Sequence, residues 1–358
     1  MAQTLHLGCK APSIIQRPGE GRLVPQLSNP AAQLAQEVLA MLKLRESSAV
    51  PHWAASRLAA LWGATGTRVL RVFPIAAARR RGVQSTGYAV AIDSIDPDEP
   101  PAPVGADPEL IAAIDGRRMR SVEAAGGRRR VLIPFAATDE VRYLLELSGA
   151  ATNGAGGALA DLLIEVLGSY YDLLVDAETD TLTRLANRRI LYSQVGAMLS
   201  RGPSPSYRRF IAVADIDHFK QVNDRFGHLY GDEILIHFAR IMRETFRAGD
   251  LLYRFGGEEF VIVFGVANYE DRQIGLERFR AAVESYEFPS VGRVTTSIGF
   301  TAIKGLLVPA TTLFDRADNA VYYAKRNGRN RVCEYEALVT EGALQPAVPT
   351  AGGEATLF

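Results

Sequence analysis

The chain has 358 residues, of which 47% are hydrophobic and 22% charged, and its 40 basic side chains balance 40 acidic ones. This length favours two domains, and the zero formal net charge gives no electrostatic reason to expect a nucleic acid or an anionic membrane as a partner. The two cysteines, Cys9 and Cys333, are far apart and have no metal-type spacing. No apolar run reaches the roughly 20 residues that cross a bilayer, and no secretory leader pattern is present, so a cytoplasmic protein is expected.

The N-terminal half alternates between helical and strand-like patterns. Residues 1–30 are rich in Gly, Pro and Gln and are expected to form a flexible leader. The elements predicted after it are helices over 31–44 and 51–62, strands over 68–75 and 87–92, a short helix near 109–114, and strands over 130–135 and 141–147. A glycine-rich stretch, 149–157, closes this half, which is expected to be an α/β domain over 31–150.

A long helix is predicted at the boundary between the two halves, within a linker over 155–178. Leu159, Leu162, Val166 and Leu173 fall near the a and d positions of a heptad. Two interpretations are open: a helix packed on its own domain, or a stalk that pairs with the same helix of a second chain. Its position between two domains favours the stalk.

The C-terminal half, 179–336, alternates helices with apolar strands. Its predicted elements are helices over 188–198, 235–246, 276–286 and 313–326, a hairpin of strands 251–255 and 260–264, and strands over 210–214 and 294–300. This pattern predicts an α+β sandwich with helices covering a sheet. Residues 337–358 are expected to be a disordered tail.

Acidic residues end two of these strands. Gly256 and Gly257 form a turn without Cβ atoms, which lets backbone approach a phosphate, and Glu258 and Glu259 follow at once. Alone, this segment could be an ordinary polar hairpin turn. However, the apolar strand 210–214 also runs into acids, Asp215-Ile-Asp. Carboxylates grouped in this way suit Mg²⁺ at a nucleoside triphosphate.

The C-terminal half resembles the GGDEF family of diguanylate cyclases. The resemblance runs from about Asp180 to Tyr335 and is carried by ordered sequence blocks. These are Asp180-Thr-Leu-Thr-Arg-Leu-Ala-Asn-Arg-Arg189, Asp215-Ile-Asp-His-Phe-Lys-Gln-Val-Asn-Asp224, Phe226-Gly-His228, Gly231-Asp232, Gly256-Gly-Glu-Glu-Phe260, Ser297-Ile-Gly299, Ala317-Asp-Asn-Ala-Val-Tyr-Tyr-Ala-Lys325 and Asn327-Gly-Arg-Asn330. Arg184 departs from the family, which commonly has glycine there. The resemblance implies a mainly antiparallel sheet flanked by helices.

The resemblance also implies roles for individual residues. Asp215, Glu258 and the backbone carbonyl of Ile216 would bind Mg²⁺ or Mn²⁺, two ions per active site, and Glu259 would lie near the attacking 3′-hydroxyl or a second metal. The residues expected to bind GTP are Phe219, Lys220, Asn223, Asp232, Gly256, Gly257, Lys325 and Arg329. Within this set Asn223 and Asp232 would read guanine, because its N1–H and N2–H₂ donors need an acceptor that adenine does not need.

The implied reaction joins two GTP molecules into cyclic di-GMP and releases two pyrophosphates. One site cannot close a symmetric ring, so the resemblance predicts a homodimer. Arg247 and Asp250, with five residues between Asp250 and Gly256, match the family's RxxD product-inhibition site, with Arg278 as a secondary arginine. The alternative is a surface ion pair of little energetic weight.

The N-terminal half is less specific. It resembles a GAF-type sensory domain, with a PAS-like domain as the alternative, and its small-molecule or protein signal is not identified by the sequence. A second function remains open for the whole chain: a catalytically silent module that binds cyclic di-GMP. An unrelated nucleotidyl transferase would fit the carboxylates, but it leaves Arg247 and Asp250 unexplained.

Overall fold

The fold is described from a computed structural model of the chain. The structure describes residues 30–74, 88–92, 102–103, 107–124, 128–137, 140–151, 155–201, 207–247, 249–303 and 308–346. The expected leader, up to residue 29, and the end of the expected tail, from 347, lie outside these ranges. No helix within them is both long and apolar enough to cross a membrane.

The N-terminal domain is a six-stranded antiparallel sheet with helices against it. Its elements are helices α1 (Pro30–Met41), α2 (Ala49–Trp62) and α3 (Pro108–Gly116), and strands β1 (Gly66–Pro74), β2 (Tyr88–Ile92), β3 (Ala102–Pro103), β4 (Arg120–Ala124), β5 (Arg128–Ala137) and β6 (Glu140–Ala150). The strand order is β3-β2-β1-β6-β5-β4. This half contains both helices and strands, as expected, although β3 and β4 were not expected.

Helix α4 (Ala155–Glu178) joins the two halves and packs on the N-terminal domain. Its buried stripe includes Leu163, Leu167 and Tyr171, which share a core cluster with α1, α2, β5 and β6. Leu162 and Leu173, assigned to the heptad positions from the sequence, are 53% and 67% exposed. The helix is thus fixed to its own domain on one face and has leucines exposed on another.

The C-terminal domain contains a second six-stranded sheet, ordered β14-β13-β8-β10-β9-β7. Its elements are strands β7 (Ala186–Asn187), β8 (Arg208–Ile216), β9 (Leu251–Gly256), β10 (Glu259–Val266), β11 (Glu287–Phe288), β12 (Gly292–Arg293), β13 (Thr296–Ala302) and β14 (Val332–Glu334), and helices α5 (Arg188–Arg201), α6 (Phe219–Phe226), α7 (His228–Thr245), α8 (Ile274–Ser285), α9 (Ala310–Arg326) and α10 (Tyr335–Thr340). The short strands β11 and β12 pair separately from this sheet.

The central strands of this sheet are covered on both faces. Strand β8 is buried from Phe210 to Ile216 and pairs antiparallel with β10 and β13, whereas the edge pairs β13–β14 and β7–β9 are parallel. The expected mainly antiparallel sheet is confirmed. Helix α9 lies so close to β13 that a Cβ atom on Gly299 would be 2.2 Å from the carbonyl oxygen of Ala317.

Three expectations for this half need correction. Helix α6 was not predicted, and α7 begins at His228 rather than near residue 235. The disordered tail expected from Ala337 is wrong for its first residues, because α10 covers Tyr335–Thr340 and Leu338 is buried. Leu338 packs in a small cluster with Ala320 and Ala324 of α9, which gives this last helix its own core contact.

Candidate active site

Strand pairing brings the two predicted acidic segments together. Glu259, the first residue of β10, is directly opposite Asp215 near the end of β8, and Ser297 of β13 is opposite Asp215 on the other side. Directly opposed residues of an antiparallel pair have Cβ atoms about 4.5–5.5 Å apart. The two carboxylates that the sequence separates by more than forty residues therefore share one end of the sheet.

Asp215 has one carboxylate oxygen paired and one free. Its side chain is buried, and its Oδ2 atom forms an ion pair with Nζ of Lys325 at 2.7 Å. Oδ1 is buried and has no hydrogen-bond partner among the described residues. An unsatisfied buried acceptor costs about 1–3 kcal/mol, more when it is charged, so this oxygen is suited to a bound cation.

The acids around Asp215 raise one another's pKa. Burial, with the charges of Asp215 and Asp318, raises the pKa of Glu259 to about 7. Burial and the Asp215 charge also raise the pKa of Glu258, and burial raises the pKa of Asp318 against the opposing charge of Lys325. Asp318, in α9, was not assigned a role from the sequence. Its place in this cluster depends on packing between α9 and the sheet, which no local pattern reveals.

The residues present fit a divalent cation. Asp215 has an unpaired buried oxygen, the Glu258 carboxylate is electrostatically coupled to it, and Ile216 follows directly in the chain. Hard oxygen ligands of this kind are those that Mg²⁺ prefers. Over the described ranges no group of three or more His, Cys, Asp or Glu side chains is arranged to hold a metal. The predicted set has two carboxylates and a backbone carbonyl, so it does not require such a group.

The Gly256–Gly257 turn has free space around both glycines, and the side chain of Arg254 is hydrogen-bonded to its backbone. Gly257 has a φ of 39°, a conformation that favours glycine, and a Cβ atom on either glycine would meet nothing within 4 Å. Arg254 donates from Nη2 to the carbonyl oxygen of Gly257 at 2.8 Å and from Nη1 to the Asp180 carboxylate at 3.2 Å. Arg254 was also not singled out from the sequence. It connects the first residues of the domain to the turn.

The expected guanine and phosphate contacts lie around α6. A Cβ atom on Gly231 would be 2.0 Å from Oδ1 of Asn223, so glycine is needed to admit that side chain, and Asp232 follows next. Oδ1 of Asn223 is buried without a partner among the described residues. Because the Phe219 side chain is buried, only its backbone can face a phosphate, whereas Lys220 is exposed. Both residues are in the first turn of α6, where backbone N–H groups attract anions.

Asp217 has a structural role that the sequence left open. Its carboxylate accepts from Oγ1 of Thr295 at 2.6 Å, from Oγ of Ser297 at 2.7 Å and from the backbone N–H of Asn330 at 3.1 Å. These bonds join β8, β13 and the segment after α9. That segment includes Arg329, whose charge acts on Asp215.

The residues of the predicted product site lie together at the end of α7. Oδ2 of Asp250 accepts from the backbone N–H of Arg247 at 2.8 Å, and Nη2 of Arg278 donates to the carbonyl oxygen of Thr245 at 2.5 Å. Burial raises the pKa of Asp250 to about 6, while the charges of Arg247 and Arg278 act in the opposite direction. Two cationic groups therefore surround one carboxyl group at this position.

The fold and site define a domain with a carboxylate cluster, flanked by Lys325 and Arg329, at one end of a mainly antiparallel sheet. Residues 177–331 match the family model described as diguanylate cyclase, GGDEF domain. This match covers the C-terminal domain, which is less than half of the chain. The match supports the GGDEF domain predicted for this half, and the mixed α/β content of that domain is as expected.

The curated relatives match less than half of the chain. The diguanylate cyclase DgcP of Pseudomonas aeruginosa is 42% identical over 159 residues, which are 44% of this chain and 24% of that protein. The response regulator PleD of Caulobacter vibrioides is 40% identical over 161 residues, which are 44% of this chain and 36% of that protein. The GGDEF domain of DgcB from Caulobacter crescentus, crystallised with c-di-GMP, is 34% identical, covers 45% of this chain and 96% of that chain, and has a TM-score of 0.42. The chain therefore spans about a quarter to a third of the length of these two curated relatives.

Proposed function

We propose that the chain is a diguanylate cyclase, which condenses two GTP molecules into cyclic di-GMP and releases two pyrophosphates. The observation that carries this proposal is the pairing of Glu259 with Asp215 across neighbouring strands. Oδ1 of Asp215 has no partner among the described residues, and Oδ2 of Asp215 forms an ion pair with Lys325. The family model of the diguanylate cyclase GGDEF domain matches a range that contains these residues, and a relative named as a diguanylate cyclase is 42% identical over 159 residues.

Each of these residues has a distinct task in the proposed reaction. Asp215, Glu258 and the carbonyl group of Ile216 would hold Mg²⁺ or Mn²⁺, which supplies charge neutralisation at the phosphates when bound. Glu259, with a pKa of about 7, is suited to accept the proton of the 3′-hydroxyl at neutral pH. Lys325 and Arg329 would bind the β- and γ-phosphates, together with the first turn of α6.

Recognition of guanine is assigned to Asn223 and Asp232. The buried Oδ1 atom of Asn223 lacks a partner among the described residues, and the Asp232 carboxylate is exposed for the N1–H and N2–H₂ donors of guanine. Adenine would leave this carboxylate without those donors. GTP is therefore the proposed substrate.

Catalysis requires two such domains face to face, because each GTP is attacked by the other. We assign the contact between two chains to α4, where Leu162 and Leu173 are exposed on the face opposite the buried stripe. Arg247, Asp250 and Arg278 form the proposed inhibitory product site. The N-terminal domain is proposed to be a GAF-type sensory domain that regulates the cyclase.

The first experiment measures product formation by the whole chain. Incubation with GTP and Mg²⁺ is expected to yield cyclic di-GMP and pyrophosphate, separated by chromatography. Glu259→Gln should abolish both products, and Glu270→Gln, which changes an exposed glutamate outside the site, should not. Absence of product from the parent chain and from Arg247→Ala, in which inhibition is removed, would contradict the cyclase function and favour a silent cyclic di-GMP-binding module.

A further inference from the structure

A cleft of about 230 Å³ lies between the N-terminal domain and the GGDEF domain. Arg71 of β1 and Arg142 of β6 line it from the N-terminal sheet, and Gln194 of α5 and Tyr253 of β9 line it from the GGDEF domain. Glu178, at the end of α4, also lines it. The proposed cyclase chemistry uses none of these residues.

Among the described residues that line the cleft, two are arginines and one, Glu178, is an acid. The Glu178 carboxylate already accepts from the backbone N–H of Ser47 at 2.6 Å and from the Ser47 hydroxyl at 2.5 Å. The nearby Glu46 is not part of the lining and accepts a hydrogen bond from Ser193 instead. Both guanidinium groups lie in the lining with donors directed to more than one acceptor position, because each guanidinium group carries five N–H donors.

Arg142 reaches the cleft because of an irregularity in its strand. The pairing of β5 with β6 shifts between Phe135 and Ala136, whose partners are Tyr143 and Val141, so Arg142 has no direct partner in this pair. A bulge of this kind redirects a side chain that regular alternation would place on the other face. Arg142 thereby lines the same cleft as its neighbour Tyr143, and its charge acts on Glu178 across the cleft.

The remaining lining defines what could bind between the arginines. Val72, Ile190 and Leu251 contribute apolar surface, and the rings of Tyr143 and Tyr253 add flat walls. A planar guanidinium group binds carboxylate and phosphate oxygens in pairs of parallel hydrogen bonds. A volume of about 230 Å³ holds a molecule of on the order of ten non-hydrogen atoms.

We infer that this cleft is a binding site for a small organic anion, whose carboxylate or phosphate group is held by Arg71 and Arg142 and whose apolar part lies against Val72, Ile190 and Leu251. The ligand would then contact both domains at once. Any effect on cyclase output rests on the proposed function, but binding itself does not.

Binding is tested on the whole chain by isothermal titration without GTP. The probes are benzoate, phenyl phosphate and the uncharged analogue benzamide. Benzoate, phenyl phosphate or both should bind at least tenfold more tightly than benzamide, and the stronger of the two identifies the acidic group. Absence of binding by both anions at 20 mM, or equal binding of benzamide, would overturn the inference.

Variants locate the binding in the cleft. Arg71→Gln and Arg142→Gln should each weaken the stronger anion at least tenfold, and the matched control Arg118→Gln, on an exposed side chain outside the cleft, should leave it unchanged. Ser48→Tyr narrows the cleft and keeps both arginines, so it should also block binding. Thermal unfolding verifies that each variant is folded. Unchanged affinity in the folded Arg142→Gln and Ser48→Tyr variants would place the anion elsewhere. Since no GTP is present, failure here is separate from failure of the cyclase assay.

Discussion

Replacing Arg254 by glutamine tests whether the first residues of the GGDEF domain position the signature turn. Arg254 and Asp180 are only 15% and 22% exposed, and the same guanidinium group donates to the carbonyl oxygen of Gly257 at 2.8 Å. Removing one partner of a buried ion pair costs about 3–5 kcal/mol, and partial exposure places this pair at the lower end, about 3 kcal/mol. The free energy of unfolding should fall by that amount, measured by urea denaturation at pH 7.

The same substitution should slow catalysis. If about half of that free energy is lost in the transition-state complex because the turn is no longer held, kcat falls about tenfold, and KM for GTP changes less. The matched control is Arg272→Gln, which breaks a similar ion pair with Glu334 at the opposite end of β13. It should lose comparable stability and keep kcat.

A double-mutant cycle and a pH series complete this test. Burial acts to raise the pKa of Asp180, but its hydrogen bonds to Thr183 and the charge of Arg254 outweigh this and lower the pKa. The stabilisation is therefore present at neutral pH and is lost as the pH falls through the lowered pKa, so parent and Arg254→Gln should converge in acid. Additive effects of Arg254→Gln and Asp180→Asn, or a kcat as high as that of Arg272→Gln, would refute the positioning role.

Three further predictions concern packing and protonation. Gly299→Ala should destabilise the chain by about 3 kcal/mol or more in urea denaturation, because a Cβ atom there meets backbone of α9 at 2.2 Å. The control Gly196→Ala lies in a helix with nothing within 4 Å of its Cβ atom, so it should be neutral or stabilising by up to about 1 kcal/mol. Equal effects of the two substitutions would contradict the close approach of α9 to Gly299. The affinity for Mn²⁺, measured by electron paramagnetic resonance, should weaken as the pH falls below about 7, because protonation of Glu259 removes a negative charge beside the proposed metal ligands Asp215 and Glu258. Glu259→Gln should reduce this dependence. The same affinity of the parent at pH 6 and pH 8 would contradict this effect of the Glu259 charge. The affinity for cyclic di-GMP, measured by calorimetric titration, should weaken below about pH 6, where the Asp250 carboxylate gains a proton and loses an acceptor oxygen, and should not change with pH above 7. If Asp250→Asn has the same pH profile as the parent, another group is responsible for the titration.

Local patterns were sufficient for the long elements of the chain. Strand β8 and the two strands of the β9–β10 hairpin are apolar runs that end in acids or glycines. The existence of these strands, and the grouping of the acids at their ends, could therefore be predicted. Helix α6 was not predicted because Asn223 and Asp224 are weak helix formers, and because the helix follows His218, which has a left-handed conformation with a φ of 61°. Neither signal favours a helix at that position.

The supporting residues of the site could not be predicted because their partners are distant in sequence. Asp217 is bound by Thr295 and Ser297, which are 78 and 80 residues away. Asp180 and Arg254 are 74 residues apart. The heptad assignment of α4 likewise described an apolar helix correctly, but the sequence alone did not say which of its faces packs on the N-terminal domain.

At the end of α4 only a few residues separate the contacts with the N-terminal domain from the first contact with the GGDEF domain, which limits how this N-terminal domain can be replaced by another. Val175 belongs to the N-terminal core, Glu178 is bonded to Ser47, and Asp180 already bonds Arg254 of the other domain. An α-helix turns by about 100° per residue, so one residue inserted between Val175 and Glu178 would rotate the C-terminal half by more than a quarter of a circle. Chimaeras that exchange the N-terminal domain should therefore keep the phase of this helix, and seven-residue changes, close to two whole turns, should be tolerated better than changes of two or five.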